Sequence, residues 1–475
     1  MRQPALMRAR PAIAPRELAA TALGALAVAL LAAAWLLARR HRVTLYEAEP
    51  RLGGHSHTVD VAMKEGVIPV DTGFIVYNEP AYPNLTALFG HLGVATQPAE
   101  MSFAVSLDDG ALEYSGSGLR GLFAQRGNLV DLRFWSMLKD LVRFYRNAPR
   151  DVARAGLMPL DDYLDANGYG RAFRDDHLYP MAAAIWSTPA AQVGRYPTEA
   201  FVRFCENHHL LTLGERPAWR IVSGGSREYV RRLGAALGER VRTACAAVAV
   251  RRDARGASVA TARGGEDRYD HVVIATHADQ ALRLLPDANG DERRLLGAFA
   301  YSRNRAVLHG DAALMPRRRA VWSSWNYGAD RRRPDALCVT YWMNRLQAID
   351  DRRQLFLTLN PSREPRAELV HRTEVYEHPL FDANAIRAQN DLWSLQGRRR
   401  TWFCGAYFGA GFHEDGLQAG LAVAEAIGGV RRPWSVARES SRIRVHGTPA
   451  RRPGVGGMSA ASAAAASSAA SVAAE

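Results

Sequence analysis

A chain of 475 residues, 48% hydrophobic and 23% charged, has room for about two to three domains and a large buried core. Its net charge of +13 invites a nucleic-acid or membrane-surface partner, but residues 1–42 carry +6 of it and residues 431–475 carry +5. The body between them is nearly neutral, which argues against nucleic-acid binding.

Taken in chain order, residues 1–17 are basic, contain three prolines and read as flexible. Leu18–Ala38 is a run of 21 residues without a charge, about 31 Å long as a helix and close to the thickness of a bilayer core. It ends in the basic flank "RRHR", which predicts one N-terminal apolar helix reaching to residue 42 and a cytoplasmic protein anchored to the inner membrane. "RVTLYEAE" (42–49) reads as a strand ending in acid, and "GVIPVDTGFIVYN" (66–78) as a second strand region. Residues 118–214 show apolar spacings of three and four and predict a helical insertion. "HVVIAT" (271–276) is a buried strand, residues 291–398 mix strands and helices, and 399–430 hold a strand, a Gly-rich loop and a helix. From 431 the chain is basic, then Ala/Ser-rich, and reads as a disordered tail.

Strands alternating with helices predict an α/β fold. A Rossmann-like, doubly wound nucleotide domain is assembled from discontinuous segments, 43–117, 215–290 and 399–430. Residues 118–214 and 291–398 then build a mixed α+β substrate domain. In such a nucleotide domain the second strand ends in an acid that accepts hydrogen bonds from ribose hydroxyls, and Glu47 has that position. Gly53 and Gly54 let backbone approach a pyrophosphate, and Arg51 can balance its charge. Taken alone, these residues fit a surface turn equally well.

Three stretches change that balance: "YEAEPRLGGHSHTV" with "PVDTGFIVYN", "WRIVSGGSREYVRRL" with "HVVIATHADQALRLL", and "TWFCGAYFGAGFHEDGLQAGLAVAEA". In this order the chain, from about Ala33 to Ile443, resembles the flavin-containing amine oxidase and carotenoid desaturase superfamily. Within it the chain is most similar to bacterial predicted NAD/FAD-binding oxidoreductases. The resemblance implies FAD as cofactor. It places Glu47 at the adenosine ribose, Arg51, Gly53 and Gly54 by the diphosphate, and Gly73 and Phe74 near the isoalloxazine ring. It also places Ala247 at adenine, Gly405 near the ribityl phosphate, and Glu414, Asp415, Gly416 and Leu417 around the ribityl chain and flavin carbonyl, with Phe412 as an aromatic wall.

The resemblance has one departure. The family's G-x-G-x-x-G falls on Ala25, Ala27 and Leu30, with "TALG" (21–24) as the first strand. These positions make the tight turn, the approach to phosphate and the close helix packing, so FAD binding is expected to be weakened. Two readings stay open: Leu18–Ala38 is a membrane anchor, or it is an altered first βα unit. The family-like "AAWLLARR" favours the second.

Family amine oxidases have a lysine near the flavin. Lys64 and Lys139 are the only lysines here and neither matches it; His309 stands in that region as a candidate catalytic residue. The expected substrate is a small apolar or amine molecule, and the missing lysine favours desaturation over amine oxidation. Trp322, Trp325, Tyr327, Tyr341 and Trp342 are candidates for a substrate channel. His55, His57, His208 and His209 lack metal-site spacing, as do Cys205, Cys245, Cys338 and Cys404, which read as reduced and buried. The competing reading is a non-catalytic shell with impaired FAD binding.

Overall fold

The computed structural model describes residues 17–22, 27–64, 66–214, 216–333 and 336–445. The basic N-terminal segment before Glu17, Ala25 of the opening motif and the Ala/Ser-rich tail from 446 lie outside them.

The apolar run Leu18–Ala38 is not one helix. Glu17–Ala22 form strand β1 and Ala27–Leu37 form helix α1. β1 pairs in parallel with strand β2, Arg42–Glu47, on one side and with His271–Ile274 on the other. It is the central strand of a five-stranded parallel sheet ordered 241–242, β2, β1, 271–274, 401–403. A parallel strand inside a sheet and a helix covered on every side are both apolar throughout, and together they mimic a membrane span. Val28 to Leu37 are all buried, none more than 7% exposed. With 11 residues, α1 is about 16 Å long, roughly half the thickness of a bilayer core. No helix among the described residues is long and apolar enough to cross a membrane. The anchor expectation is therefore corrected to a βα unit, with its strand at Glu17–Ala22 rather than at "TALG".

What holds α1 is the last helix, His413–Ile427. A Cβ on Gly420 would stand 2.2 Å from the Ala29 carbonyl oxygen, so the two helices meet backbone to backbone. A Cβ on Gly416 would rest 3.6 Å from Ala29 and Val28. Leu30, at the third fingerprint position, is 1% exposed and belongs to the core. The small residues that let α1 and the last helix meet closely are Gly416 and Gly420 of the last helix.

A seven-stranded sheet forms the second layer, ordered 370–380, 300–309, 356–359, 338–342, 325–329, 103–107, 112–115. Its neighbours run antiparallel, except 325–329 beside 103–107. Short helices and the 24-residue helix Leu132–Ala155 occupy most of the segment from Gly118 to Asn207. The basic stretch 431–445 packs onto the fold and is not part of a loose tail. Arg432 is fully buried against Glu425 (Nε–Oε1 2.8 Å), and Trp434 stacks on Trp35 with ring centres 6.1 Å apart.

The helix contact gives a direct test. Gly420→Val is expected to lower stability by about 1–3 kcal/mol, because backbone cannot move aside as a side chain can. Gly90→Ala, on the helix Pro83–Leu92, adds a Cβ that meets nothing within 4 Å and should raise stability by about 0.5–1 kcal/mol. Urea unfolding of both variants checks the pair; equal midpoints would contradict the packing.

Candidate active site

The carboxyl end of β2 gathers the first cluster. Glu47 is 1% exposed, and its carboxylate accepts a hydrogen bond from the Glu49 N–H at 3.0 Å. Burial pushes its pKa up to about 7. The Glu47 carbonyl accepts from Cys245 N–H at 2.8 Å, which brings the strand Ala247–Arg252 alongside, with Ala247 buried. Arg51 donates to the Gly54 carbonyl at 3.0 Å and makes no ion pair among the described residues. Gly53 stands at φ +118°, where a Cβ would lie 2.5 Å from the Ser56 carbonyl oxygen. A buried carboxylate, an unpaired guanidinium and a glycine-only turn thus meet at the edge of a parallel sheet where nucleotides bind in such folds.

Beside this edge opens a cavity of about 610 Å³. Gly73 and Phe74 form one wall: Phe74 N–H donates to the His55 carbonyl at 2.7 Å, and a Cβ on Gly73 would clash with that oxygen at 2.1 Å. Phe74 stacks on His413 with ring centres 3.8 Å apart and planes 15° from parallel. His413 Nε2 is 3.0 Å from Ser56 Oγ, which also bonds the Tyr229 hydroxyl. Phe412 stacks on Phe204 at 4.6 Å and faces the same space. The flat aromatic faces and close backbone fit a planar ring system; the β2 cluster fits vicinal hydroxyls and a diphosphate.

His277 follows the buried strand 271–274 and lines the cavity at 1% exposure. Neither of its ring nitrogens makes a hydrogen bond among the described residues, and Nδ1 stands 3.4 Å from Glu377 Oε2. Burial, with help from His55 and His378, pushes its pKa down to about 2, so the ring is neutral. His378 is likewise held down to about 3 by burial and is bonded by Asn304 Nδ2 at 3.0 Å. Leu141, Met181, Ile185, Leu357 and Leu359 add apolar walls.

Several predicted residues have other work. Glu414 accepts from the backbone N–H groups of Asn84 and Leu85 at 3.1 and 3.0 Å, and so caps the helix Pro83–Leu92. Asp415 accepts from Phe412 N–H at 2.8 Å and pairs with Arg442 Nε at 2.7 Å, capping its own helix. Both carboxylates thus accept hydrogen bonds from the protein itself. Gly416 lies against α1 and Leu417 is fully buried. A Cβ on Gly405 would stand 2.6 Å from the Tyr407 ring.

His309, the candidate catalytic residue, does not line the cavity. It is fully buried, bonded through Nε2 to Thr358 at 2.8 Å and through Nδ1 to Asp311 N–H at 3.1 Å, and it lies away from the cavity. Of the five channel aromatics, Trp325 and Tyr341 line the cavity in an edge-to-face pair at 4.9 Å. Trp322 and Trp342 pack instead with Met315 and Phe356 in a separate cluster, and Tyr327 is core. No group of three or more side chains suited to a metal ion comes together among the described residues. Sequence reasoning missed His277, His378 and His413. The available signal was a histidine at the carboxyl end of a buried parallel strand, within the quoted "HVVIATHADQ".

A family model described as flavin containing amine oxidoreductase matches residues 30–302. No protein with a curated description matches significantly. Among solved structures, putrescine oxidase bound to putrescine shares 16% identity at a TM-score of 0.62, covering 87% of this chain and 99% of its own. Cyclohexylamine oxidase from Brevibacterium oxydans IH-35A shares 13% at 0.60, covering 87% and 100%. A CLA-producing fatty acid isomerase from P. acnes shares 15% at 0.57, covering 86% and 97%. At these identities the likeness establishes the fold.

Glu47 carries a pH prediction. Its folded pKa of about 7 lies above its ordinary 4.5, so between these values the folded protein holds a proton that the unfolded chain releases. Stability therefore falls as pH rises through that window and is lowest, for this group, above it. Without flavin, Glu47→Gln is expected to be more stable than wild type at pH 8 by on the order of 1–3 kcal/mol and nearly equal at pH 4. Urea unfolding at the two pH values reads the difference.

Proposed function

Because this chain belongs to the flavin-containing amine oxidoreductase family, whose cofactor is FAD, we propose that it removes a hydride and a proton from an apolar substrate. The observation that carries the choice of substrate is the cavity wall. Aliphatic and aromatic side chains line its depth, and neither Lys64 nor Lys139 is among them. Of the carboxylates on its wall, Glu377 is 34% exposed and lies 3.7 Å from Arg303, which offsets part of the charge it could offer a substrate ammonium. The fold itself is shared by a putrescine oxidase and a fatty acid isomerase, so it does not choose between amine and apolar substrates.

Bound FAD supplies the acceptor for a hydride equivalent. The chain's own residues do the rest. Glu47 would accept hydrogen bonds from the ribose hydroxyls, and Arg51 would offset the diphosphate charge. Phe74, His413 and Phe412 would hold flat surfaces together and keep water out. His277 would accept the departing proton at Nε2 as its Nδ1 proton passes to the Glu377 carboxylate, so the ring stays neutral throughout. Its Nδ1 faces Glu377, whose carboxylate is 34% exposed and gives the proton an exit to water.

A second reading, a folded shell without catalysis, is favoured by Ala25, Ala27 and Leu30 standing where the family has glycines. The visible absorption spectrum separates the two. Purified protein titrated with FAD is expected to show a bound-flavin spectrum, and Glu47→Gln should weaken binding by roughly tenfold. Well-folded protein that takes up no flavin would sink the catalytic reading. His277→Ala is expected to keep the flavin and lose about 100-fold or more in its rate of reduction by substrate. Unchanged reduction would remove His277 from the mechanism.

A further inference from the structure

Twelve large apolar side chains are exposed among the described residues, and five of them fall between residues 119 and 135. Leu119 is 75% exposed, Val130 83% and Leu132 85%, with Leu129 and Trp135 about half exposed beside them. They sit on the short helix Gly118–Leu122, the turn Arg126–Leu129 and the first turn of Leu132–Ala155. A concentration of this kind on an otherwise ordinary surface marks an interaction site.

These tips are held outward. Phe134 beneath them is 1% exposed and packs edge-on against Phe123. Asn128 is buried and donates to the Glu113 carbonyl at 3.1 Å, while Trp135 Nε1 donates to the Leu129 carbonyl at 2.9 Å. The element is therefore a braced protrusion, with no groove for a matching side chain.

Its charge has one sign. Between Gly116 and Lys139 the only acid is Asp131, spent capping the helix that follows. Arg133 is committed to Asp176 at 2.7 Å, but Arg120, Arg126 and Lys139 are exposed and make no ion pair among the described residues. The element also borders the cavity. Gly116 and Ser117 are both exposed and cavity-lining, and Leu122 and Leu138 line it from beneath the protruding side chains.

We propose that residues 116–139 form a membrane-contact surface, which seats on a bilayer carrying anionic lipid and turns the cavity mouth towards it. Apolar tips with a tryptophan enter the headgroup boundary, and the unpaired cations meet lipid phosphates. Contact is peripheral and involves none of the apolar run near the N-terminus. Delivery of substrate through that mouth rests on the apolar-substrate reading; binding to the bilayer does not.

Flotation of the full chain with vesicles tests the proposal without turnover, so a vesicle-binding protein that takes up no flavin would defeat only the functional reading. Wild type is expected to float with vesicles of phosphatidylcholine and phosphatidylglycerol at 3:1, and much less with phosphatidylcholine alone. Val130→Asp/Leu132→Asp should lose at least tenfold in vesicle affinity with an unchanged unfolding midpoint. Arg120→Gln/Arg126→Gln should lose several-fold on the anionic vesicles alone. Wild type that binds neither vesicle, or variants that float as wild type does, would overturn the proposal. So would a wild-type dimer that Val130→Asp/Leu132→Asp converts to monomer in sedimentation, which would assign the patch to a second copy of the chain.

Discussion

Gly420 lets two helices from opposite ends of the chain touch backbone to backbone, and the rest of the structure depends on that contact. Any Cβ there would collide with the Ala29 carbonyl at 2.2 Å. With the contact made, α1 is clamped against the last helix and β1 can lie between β2 and His271–Ile274. The sheet edge carrying Glu47 then stands in place beside the loop carrying Phe412 and His413. Leu30, where the family fingerprint has its third glycine, is buried and fills core space.

The acidic residues divide by whether the protein has already satisfied them. Glu414 and Asp415 lie next to each other at the start of one helix, yet each spends its carboxylate on backbone N–H groups. Capping a helix N-terminus this way offsets the loss of hydration that burial imposes. Glu47 accepts from the Glu49 N–H at 3.0 Å, and burial raises its pKa to about 7, as burial also raises those of Glu414 and Asp415; what differs is that no side chain and no second helix among the described residues draws on the Glu47 carboxylate. The same contrast separates two histidines. His309 has both nitrogens bonded and is inert core, whereas His277 has neither bonded and faces open space. Unmet hydrogen-bonding capacity at a cavity wall is what distinguishes a site from a well-packed interior.

The cavity and the protrusion at 116–139 have complementary physics. The cavity is apolar in depth and meets solvent at Gly116 and Ser117. An apolar substrate would leave water only once if that mouth opened onto lipid, because the transfer would run from one low-dielectric medium to another. The exposed leucines, valine and tryptophan around the mouth cost stability in water unless something covers them.

Much of this protein was legible in its sequence. The parallel sheet, the acid ending its second strand and the glycine turn after it follow from local pattern, because strand burial and turn geometry act over a few residues. Strand β2 with Glu47 at its end and the strand His271–Ile274 lie where those patterns predicted, while the central strand between them, Glu17–Ala22, does not. Hydropathy could not tell a strand and helix buried in protein from a helix buried in lipid, since both environments select the same apolar side chains. The roles of Glu414, His277 and His309 were equally hidden. A carboxylate or an imidazole becomes a cap, a core residue or a reactive group according to which partners reach it from elsewhere in the chain. Those partners, Asn84 for Glu414, Thr358 for His309 and Glu377 for His277, are set by tertiary packing alone.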